Sequence, residues 1–290
     1  MGSRRVDWRG RMTGVLLSTV SCLLLFDPFA RAASSPTSND DRTFRPTVVV
    51  RQGKAQGSGT IIASVAGETL ILTAAHVVRG RDQEALSVEI HRYNLGVETA
   101  LPVKGWPLSI PAEVAAVDAM ADVAVLRVRG RLELPFVARL AAAGDEPPRG
   151  ALLTSVGIDG GDRFKSWTSP LSRVIWFAMD EAGPGELLGR AGPGVESERP
   201  FLLTGRAPEH GRSGGGLFAG GGSLVGVCVG RIELTKNRPL GVFASSESVR
   251  RLLREHDLDV VVDRSEARRM SAPIRVTRSR PVREAAATRP

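Results

Sequence analysis

The sequence predicts an all-β fold of the barrel or sandwich type that ends in one helix. Glycine is abundant, at 32 of 290 residues, and short runs of β-branched residues alternate with turn residues along most of the chain. The hydrophobic fraction of 42% is ordinary for a globular protein with a buried core. The strand-like runs fall into two groups of about six, which fits two barrels.

The strand-like runs occur in a regular order along the chain. The first group comprises apolar runs at 47–50, 60–63, 69–73, 86–91, 114–117 and 123–128. The second group comprises runs at 151–156, 173–177, 201–203, 224–229 and 242–244. A Gly-, Pro- and acid-rich break at 143–150 separates the groups, so we divide the domain 46–263 into a first half, about 46–142, and a second half, about 148–245.

One helix is predicted after the last strand, at about 246–256. Ser246 or Ser248 can cap its N-terminus. Val249, Leu252 and Leu253 then recur at helical spacing and give the helix one apolar face.

The first 32 residues have the pattern of a secretory signal peptide. Basic residues precede an apolar run from 13 to 26, and Ala30 and Ala32 supply the small residues that a signal peptidase requires. The apolar run is shorter than the ~20 residues of a membrane-spanning helix. We therefore expect cleavage after Ala32, a leader at 33–45, and a secreted or periplasmic protein.

The net charge of +8 is concentrated at the two ends of the chain. Residues 1–32 carry +3 and residues 264–290 carry +6, which leaves the central part at −1. A nearly neutral domain gives no reason to expect a nucleic-acid partner. We expect the Arg-rich segment 264–290 to be a disordered tail with at most weak contacts to anionic surfaces.

Cysteine usage excludes an intrachain disulfide in the mature chain. Only Cys228 remains once residues 1–32 are removed, and we interpret it as a small buried hydrophobic residue rather than a nucleophile. No set of Cys and His residues has the spacing of zinc ligands, so we expect no metal and no cofactor.

Three segments carry the residue types of a hydrolytic site. A serine hydroxyl needs an imidazole to take its proton, and the imidazole needs a carboxylate to fix its tautomer. His76 follows an apolar strand and the small residues 73–75, while Asp122 directly precedes another apolar strand. Ser213 lies in the glycine-rich turn 211–216, where backbone N–H groups can hold an oxyanion.

These segments resemble the signatures of a known family. Thr-Ala-Ala-His at 73–76, Asp-Val-Ala-Val-Leu at 122–126 and Gly-Arg-Ser-Gly-Gly-Gly at 211–216 resemble, in order, those of trypsin-like serine proteases. The bacterial HtrA-like branch is the closest match. The resemblance covers about 47–253 and implies two six-stranded antiparallel β-barrels with a C-terminal helix and a cleft between the barrels.

The resemblance also implies the roles of the site residues. Ser213 would attack the peptide carbonyl, His76 would act as general base and then general acid, and Asp122 would orient His76. Asp118 is an alternative orienting acid, but Asp122 is followed at once by the apolar strand, as in the family. The N–H groups of Gly211 and Ser213 would form the oxyanion hole, and the substrate would be a protein or peptide.

The resemblance places the substrate pocket near the end of the chain. Its walls and floor would include Cys228, Gly230, Gly241 and Ala207, and none of these residues is charged. We therefore expect a small or apolar side chain on the acyl side of the cleaved bond.

Two departures from the family pattern concern activity. Arg212 stands where the family usually has Asp or Asn, so a freed N-terminus cannot form the ion pair that activates zymogens. Gly216 replaces a frequent proline, which makes the loop more flexible. The main alternative is therefore a catalytically silent protease fold used as a binding or adaptor module. Only about 30 residues follow the predicted helix, so we expect no PDZ-like domain.

Overall fold

The computed structural model describes residues 40–79, 84–97, 103–131, 133–160, 164–177, 179, 198–233 and 238–271. The predicted signal peptide at 1–32, residues 33–39 of the predicted leader and residues 272–290 of the predicted tail lie outside the described residues. Within the described part of the chain, no helix is both long enough and apolar enough to cross a membrane.

The first half of the domain is a seven-stranded antiparallel sheet that curls into a half-barrel. Its strands are β1 (Thr47–Gln52), β2 (Ala55–Val65), β3 (Gly67–Ala74), β4 (Leu86–Ile90), β5 (Leu108–Pro111), β6 (Glu113–Asp118) and β7 (Val123–Gly130). The order across the sheet is β5-β4-β1-β2-β3-β7-β6. Only Ala112 separates β5 from β6, so one bent segment pairs with β4 at its start and with β7 at its end.

The second half is a closed six-stranded barrel. Its strands are β9 (Leu152–Ile158), β10 (Phe164–Phe177), β11 (Arg199–Thr204), β12 (Gly216–Phe218), β13 (Ser223–Glu233) and β14 (Pro239–Ser245). Strand β12 pairs with both β9 and β13, which closes the barrel. A two-residue strand, β8 (Arg139–Leu140), adds a parallel pairing to β13. The predicted two-barrel, all-β fold is thus confirmed, with the first barrel built as a half-barrel.

In the described part of the chain, four α-helices accompany the sheets: α1 (Asp40–Thr43), α2 (Ala75–Val78), α3 (Ser246–Glu255) and α4 (Asp259–Ser271). Helix α3 is the predicted C-terminal helix, and its predicted apolar face is buried. Its predicted cap was wrong. The side chain of Ser245 caps it by accepting the N–H of Glu247 at 3.2 Å, because the helix starts at Ser246 itself, one residue earlier than a cap at Ser246 would require.

The disordered tail was predicted to begin at residue 264, which is too early in the chain. Residues 264–271 belong to α4, which packs against β2. Ser265 is buried, and its Oγ accepts the N–H of Ser64 at 3.0 Å. The arginines of α4 suggested a solvated segment, but Val261, Val262 and Ser265 lie on a buried face between them.

The predicted leader also contributes to the fold. Helix α1 lies within it, and Arg45 is buried with its guanidinium donating to the carbonyl of Tyr93 at 2.9 Å. Residues 40–45 of the predicted leader are therefore part of the fold.

Candidate active site

His76 and Asp122 form a tight pair at the edge of the half-barrel. Strand β3 ends at Ala74, and the single turn of α2 then places His76 beside Asp122, which precedes β7. The His76 Nδ1 atom lies 2.5 Å from Asp122 Oδ2. Because a carboxylate can only accept, this contact puts the histidine proton on Nδ1 and leaves Nε2 able to accept one.

The two side chains of this pair differ in their exposure to solvent. The His76 side chain is 46% exposed, whereas that of Asp122 is only 6% exposed. The backbone N–H of Ala75 also donates to the Asp122 carbonyl at 2.8 Å. A buried acid thus holds an accessible base in place.

Asp118, the alternative orienting acid, has a structural part in the same loop. Its Oδ1 accepts the N–H groups of Met120 and Ala121 at 2.9 and 3.1 Å. Its Oδ2 accepts Arg199 Nε at 2.7 Å. Since Arg199 belongs to β11, this buried ion pair joins the two barrels and fixes the turn that presents Asp122 in its left-handed conformation, with φ of 53°.

Ser213 lies next to the segment that carries His76. The Ser213 carbonyl accepts the N–H of Ser58 at 2.7 Å. Gly214 packs so closely that a Cβ there would lie 2.0 Å from the Ser58 carbonyl oxygen and 3.0 Å from the N of Ala74. The serine turn therefore meets the end of β3, two residues before His76.

The hydrogen bonds of the described residues do not include one from Ser213 Oγ to His76. In enzymes without bound substrate, hydrogen bonds between catalytic groups are often long and tighten only when substrate binds. The N–H groups of Gly211 and Ser213 have no acceptor within the described part of the chain. Gly211, with φ of 93°, and Gly214, with φ of 86°, form the tight turn that exposes them.

Arg212, the residue between Gly211 and Ser213 in the chain, has a fully buried side chain. Its guanidinium forms a two-point ion pair with Asp159, with Nε 2.5 Å from Oδ1 and Nη2 2.6 Å from Oδ2. Sequence reasoning identified Arg212 as unusual but missed Asp159, because nothing near Asp159 in the chain marks it as the partner of a residue 53 positions away.

The residues predicted to line the substrate pocket lie in the second barrel beside the serine turn. Gly230 on β13 and Gly241 on β14 occupy adjacent positions of one strand pair. A Cβ on Gly241 would lie 2.6 Å from the Arg206 carbonyl, so β14 packs closely against the segment that leads to Ala207. Ala207 itself is half-buried.

Cys228 lies directly beneath the serine turn. Its carbonyl accepts the N–H of Gly214 at 2.7 Å, and its own N–H donates to the Gly215 carbonyl at 2.9 Å. The side chain is fully buried, and burial raises the pKa of the thiol to about 12. A protonated, inaccessible thiol cannot act as a nucleophile, which agrees with the interpretation of Cys228 as a buried hydrophobic residue. The prediction that the Cys228 side chain lines the substrate pocket was wrong, because the serine turn covers it.

Comparison with known proteins identifies the family of the chain. Residues 57–227, more than half of the chain, match the family model of the trypsin-like peptidase domain. No curated protein matches the chain.

Solved structures with the same fold include other proteases. An inactive serine-to-alanine mutant of Rv3671c from M. tuberculosis H37Rv is 21% identical, with a TM-score of 0.54, over 77% of this chain and 95% of that one. The inactive form of the Rv3671c protease is 22% identical, with a TM-score of 0.52, over 74% and 90%. The HtrA-type protease AlgW with a tripeptide is 19% identical, with a TM-score of 0.53, over 74% of this chain and 61% of that one.

The family match includes the segments of His76, Asp122 and Ser213, and the fold and the HtrA-type neighbours agree with it. The chain belongs to the trypsin-like peptidase family, whose members are proteases that act on proteins and peptides.

Proposed function

We propose that the chain is a serine endopeptidase in which Ser213, His76 and Asp122 are the catalytic triad. The observation that carries this proposal is the bond between the buried Asp122 carboxylate and His76 Nδ1, at 2.5 Å. It prepares Nε2 as a base beside a serine turn whose two N–H groups are free to bind an oxyanion. Membership of a peptidase family supports the same chemistry.

The reaction would proceed in two halves. Ser213 Oγ bonds to the carbonyl carbon of the scissile peptide while His76 Nε2 takes the hydroxyl proton. The N–H groups of Gly211 and Ser213 stabilise the negative oxygen of the tetrahedral intermediate. The C–N bond then breaks as Nε2 protonates the leaving amine. Water attacks the resulting ester with His76 again as base, which releases the acid and restores the serine hydroxyl.

The substrate would be a peptide segment lying across the cleft between the barrels. AlgW, which has the same fold, was solved with a tripeptide, which supports a peptide ligand here. Because Ala207, Gly230 and Gly241 offer no charge, we expect a small or apolar side chain on the acyl side of the cut. The protein would act outside the cytoplasm, and N-terminal sequencing of the exported chain would test cleavage after Ala32.

The second candidate is a catalytically silent protease fold that binds a partner. No hydrogen bond joins Ser213 to His76 among the described residues, and a serine that still lacks this bond when a peptide is bound would not be activated. Both candidates predict peptide binding, but only the first predicts a covalent serine adduct.

Labelling with a fluorophosphonate probe separates the two candidates. We expect the purified protein to be labelled and to cut unstructured protein substrates at internal bonds, as read by mass spectrometry. Ser213→Ala should abolish both. Ser109→Ala is the matched control, because Ser109 is exposed on β5, and it should leave both unchanged. A folded wild-type protein that is neither labelled nor active would overturn the peptidase proposal and favour the silent module.

A further inference from the structure

We propose that Asp159 is a positioning residue whose buried ion pair with Arg212 holds the oxyanion hole in its working geometry without any cleaved N-terminus. This inference rests on the proposed function, since it assigns a role to the loop that carries Ser213. We call residues 210–213 the oxyanion loop and residues 158–160, at the end of β9, the clamp.

The ion pair is the central contact between the clamp and the loop. The side chains of Arg212 and Asp159 are 0% and 3% exposed, and the carboxylate binds the guanidinium at two points. Arg212 Nη1 also donates to Ser155 Oγ at 3.0 Å, and Nη2 to the Lys165 carbonyl at 3.1 Å. A fully buried guanidinium costs a large desolvation energy unless it is paired in this way. The ion pair therefore holds Arg212 in its site, and because Arg212 belongs to the oxyanion loop, it holds the loop as well.

Backbone contacts hold the loop on the other side of Gly211. The N–H of Gly160 donates to the His210 carbonyl at 2.8 Å. Ser58 Oγ donates to the Gly211 carbonyl at 2.8 Å and accepts the N–H of Ile158 at 2.8 Å. The clamp thus contacts His210 and Arg212 directly. It is linked to the residue between them, Gly211, through Ser58.

These contacts decide where the Gly211 N–H points. In a trans peptide the N–H is directed opposite to the carbonyl of the preceding residue. Since the His210 carbonyl is turned toward Gly160, the Gly211 N–H is turned away from the clamp. The Arg212 carbonyl accepts the N–H of Gly215 at 2.8 Å, which fixes the Ser213 N–H in the same manner. Both oxyanion donors are therefore preset by contacts within the folded chain.

The charge pattern is the reverse of the one the family resemblance implies. There, an acid before the serine receives a new N-terminal amine. Here, a cation stands before the serine and its acid comes from the second barrel of the same chain. The loop can accordingly be in place as soon as the domain has folded.

The test is kinetic, in the full chain. Asp159→Asn removes the charge at nearly constant size. We expect kcat to fall about 100-fold or more with KM within about 3-fold, because an oxyanion hole acts in the transition state rather than on bound substrate. Glu68→Gln is the matched control. It removes the charge of another carboxylate that pairs with an arginine, since Glu68 Oε1 lies 2.5 Å from Arg127 Nε in the half-barrel. This variant should leave kcat unchanged.

A second measurement does not depend on catalysis. In the Ser213→Ala background, Asp159→Asn should speed amide hydrogen exchange in a peptide covering 209–216 by about 10-fold or more, with exchange in β3 and β7 unchanged. If the wild-type chain proves inactive, the proposed function fails but this measurement still tests the clamp. Unchanged kcat, or unchanged exchange at 209–216, would overturn the inference.

A milder variant covers the case in which Asp159→Asn does not fold. Ser155→Ala removes one hydrogen bond from Arg212 and leaves the ion pair. It should lower kcat by about 3- to 10-fold and speed exchange at 209–216 to a smaller degree. A folded Ser155→Ala protein with wild-type kcat and wild-type exchange would also overturn the inference.

Discussion

Asp122 binds His76 through both of its carboxylate oxygens. Oδ2 lies 2.5 Å from the ring Nδ1, and Oδ1 accepts the backbone N–H of His76 at 2.8 Å. The backbone contact prevents the carboxylate from rotating away from the ring. A single buried acid therefore fixes both the tautomer and the orientation of the base.

Replacement of Asp122 by Asn tests this double contact. The Asn amide can still accept the His76 N–H with its oxygen, but it then presents N–H₂ to Nδ1 and favours the tautomer with the proton on Nε2. That histidine cannot accept the serine proton, so we expect kcat to fall about 10⁴-fold with KM little changed. The measurement is steady-state cleavage of a peptide substrate. Loss of less than 10-fold would contradict the assignment of Asp122.

The local parts of the site could be predicted from the sequence. His76, Asp122 and Ser213 each lie in a short segment that combines an apolar strand or glycine turn with one chemical group, and such a segment can be identified without its partners. Helix α3 was equally accessible, because its apolar face recurs at helical spacing.

The supporting contacts could not be predicted in the same way. Ser58 and Gly211 are 153 residues apart, and Asp118 and Arg199 are 81 residues apart. A polar residue of this kind has no local pattern, since its role is defined only by the partner that the fold brings to it. Helix α4 was missed for a related reason: its few buried residues are separated by charges, and its packing against β2 compensates for a weak amphipathic pattern.

The ion pair between Arg199 and Asp118 predicts a coupled loss of stability and activity. Arg199→Ala leaves the buried Asp118 carboxylate without that charge partner, so we expect the free energy of unfolding to fall by about 3–5 kcal/mol. Activity should fall as well, because the turn before Asp122 loses its anchor. Urea unfolding and peptide cleavage measure the two effects.

Arg129→Ala is the control for that experiment. Arg129 pairs with Glu113 at 2.9 Å on the exposed face of the half-barrel. Solvent-exposed ion pairs contribute little to folding stability, so the control should change the free energy of unfolding by less than about 1 kcal/mol. Equal losses in the two variants would contradict a special role for the pair between the barrels.

Gly214→Ala tests the close approach of the serine turn to β3. The residue has φ of 86°, and a Cβ would lie 2.0 Å from the backbone oxygen of Ser58. Gly150 is a matched control, because it has nearly the same φ, 85°, but no atom within 4 Å of its Cβ position. Gly150→Ala should cost about 1–2 kcal/mol for backbone strain alone. Gly214→Ala should lower the free energy of unfolding, measured in urea, by clearly more than that, and it should abolish labelling of Ser213. Equal losses of stability in the two variants would show that the turn can move away from β3.

The buried thiol of Cys228 predicts how stability depends on pH. Burial raises its pKa to about 12, although the nearby Arg212 acts to lower it. In the unfolded chain a thiol ionises near pH 8.5. Between these values the native state keeps a proton that the unfolded state has lost, so the contribution of Cys228 is fully present below about pH 8.5 and falls by about 1.4 kcal/mol per pH unit above it. Cys228→Ser is the reference variant. It lacks this ionisation but keeps the other groups, including the buried Tyr93, whose pKa is also raised by burial.

The measurement is the free energy of unfolding of the wild type minus that of Cys228→Ser, from urea titrations in the presence of a reductant. This difference should be constant from pH 7 to 8 and should decrease between pH 9 and 10.5. A difference that stays constant to pH 10.5 would mean that the thiol is not enclosed beneath the serine turn.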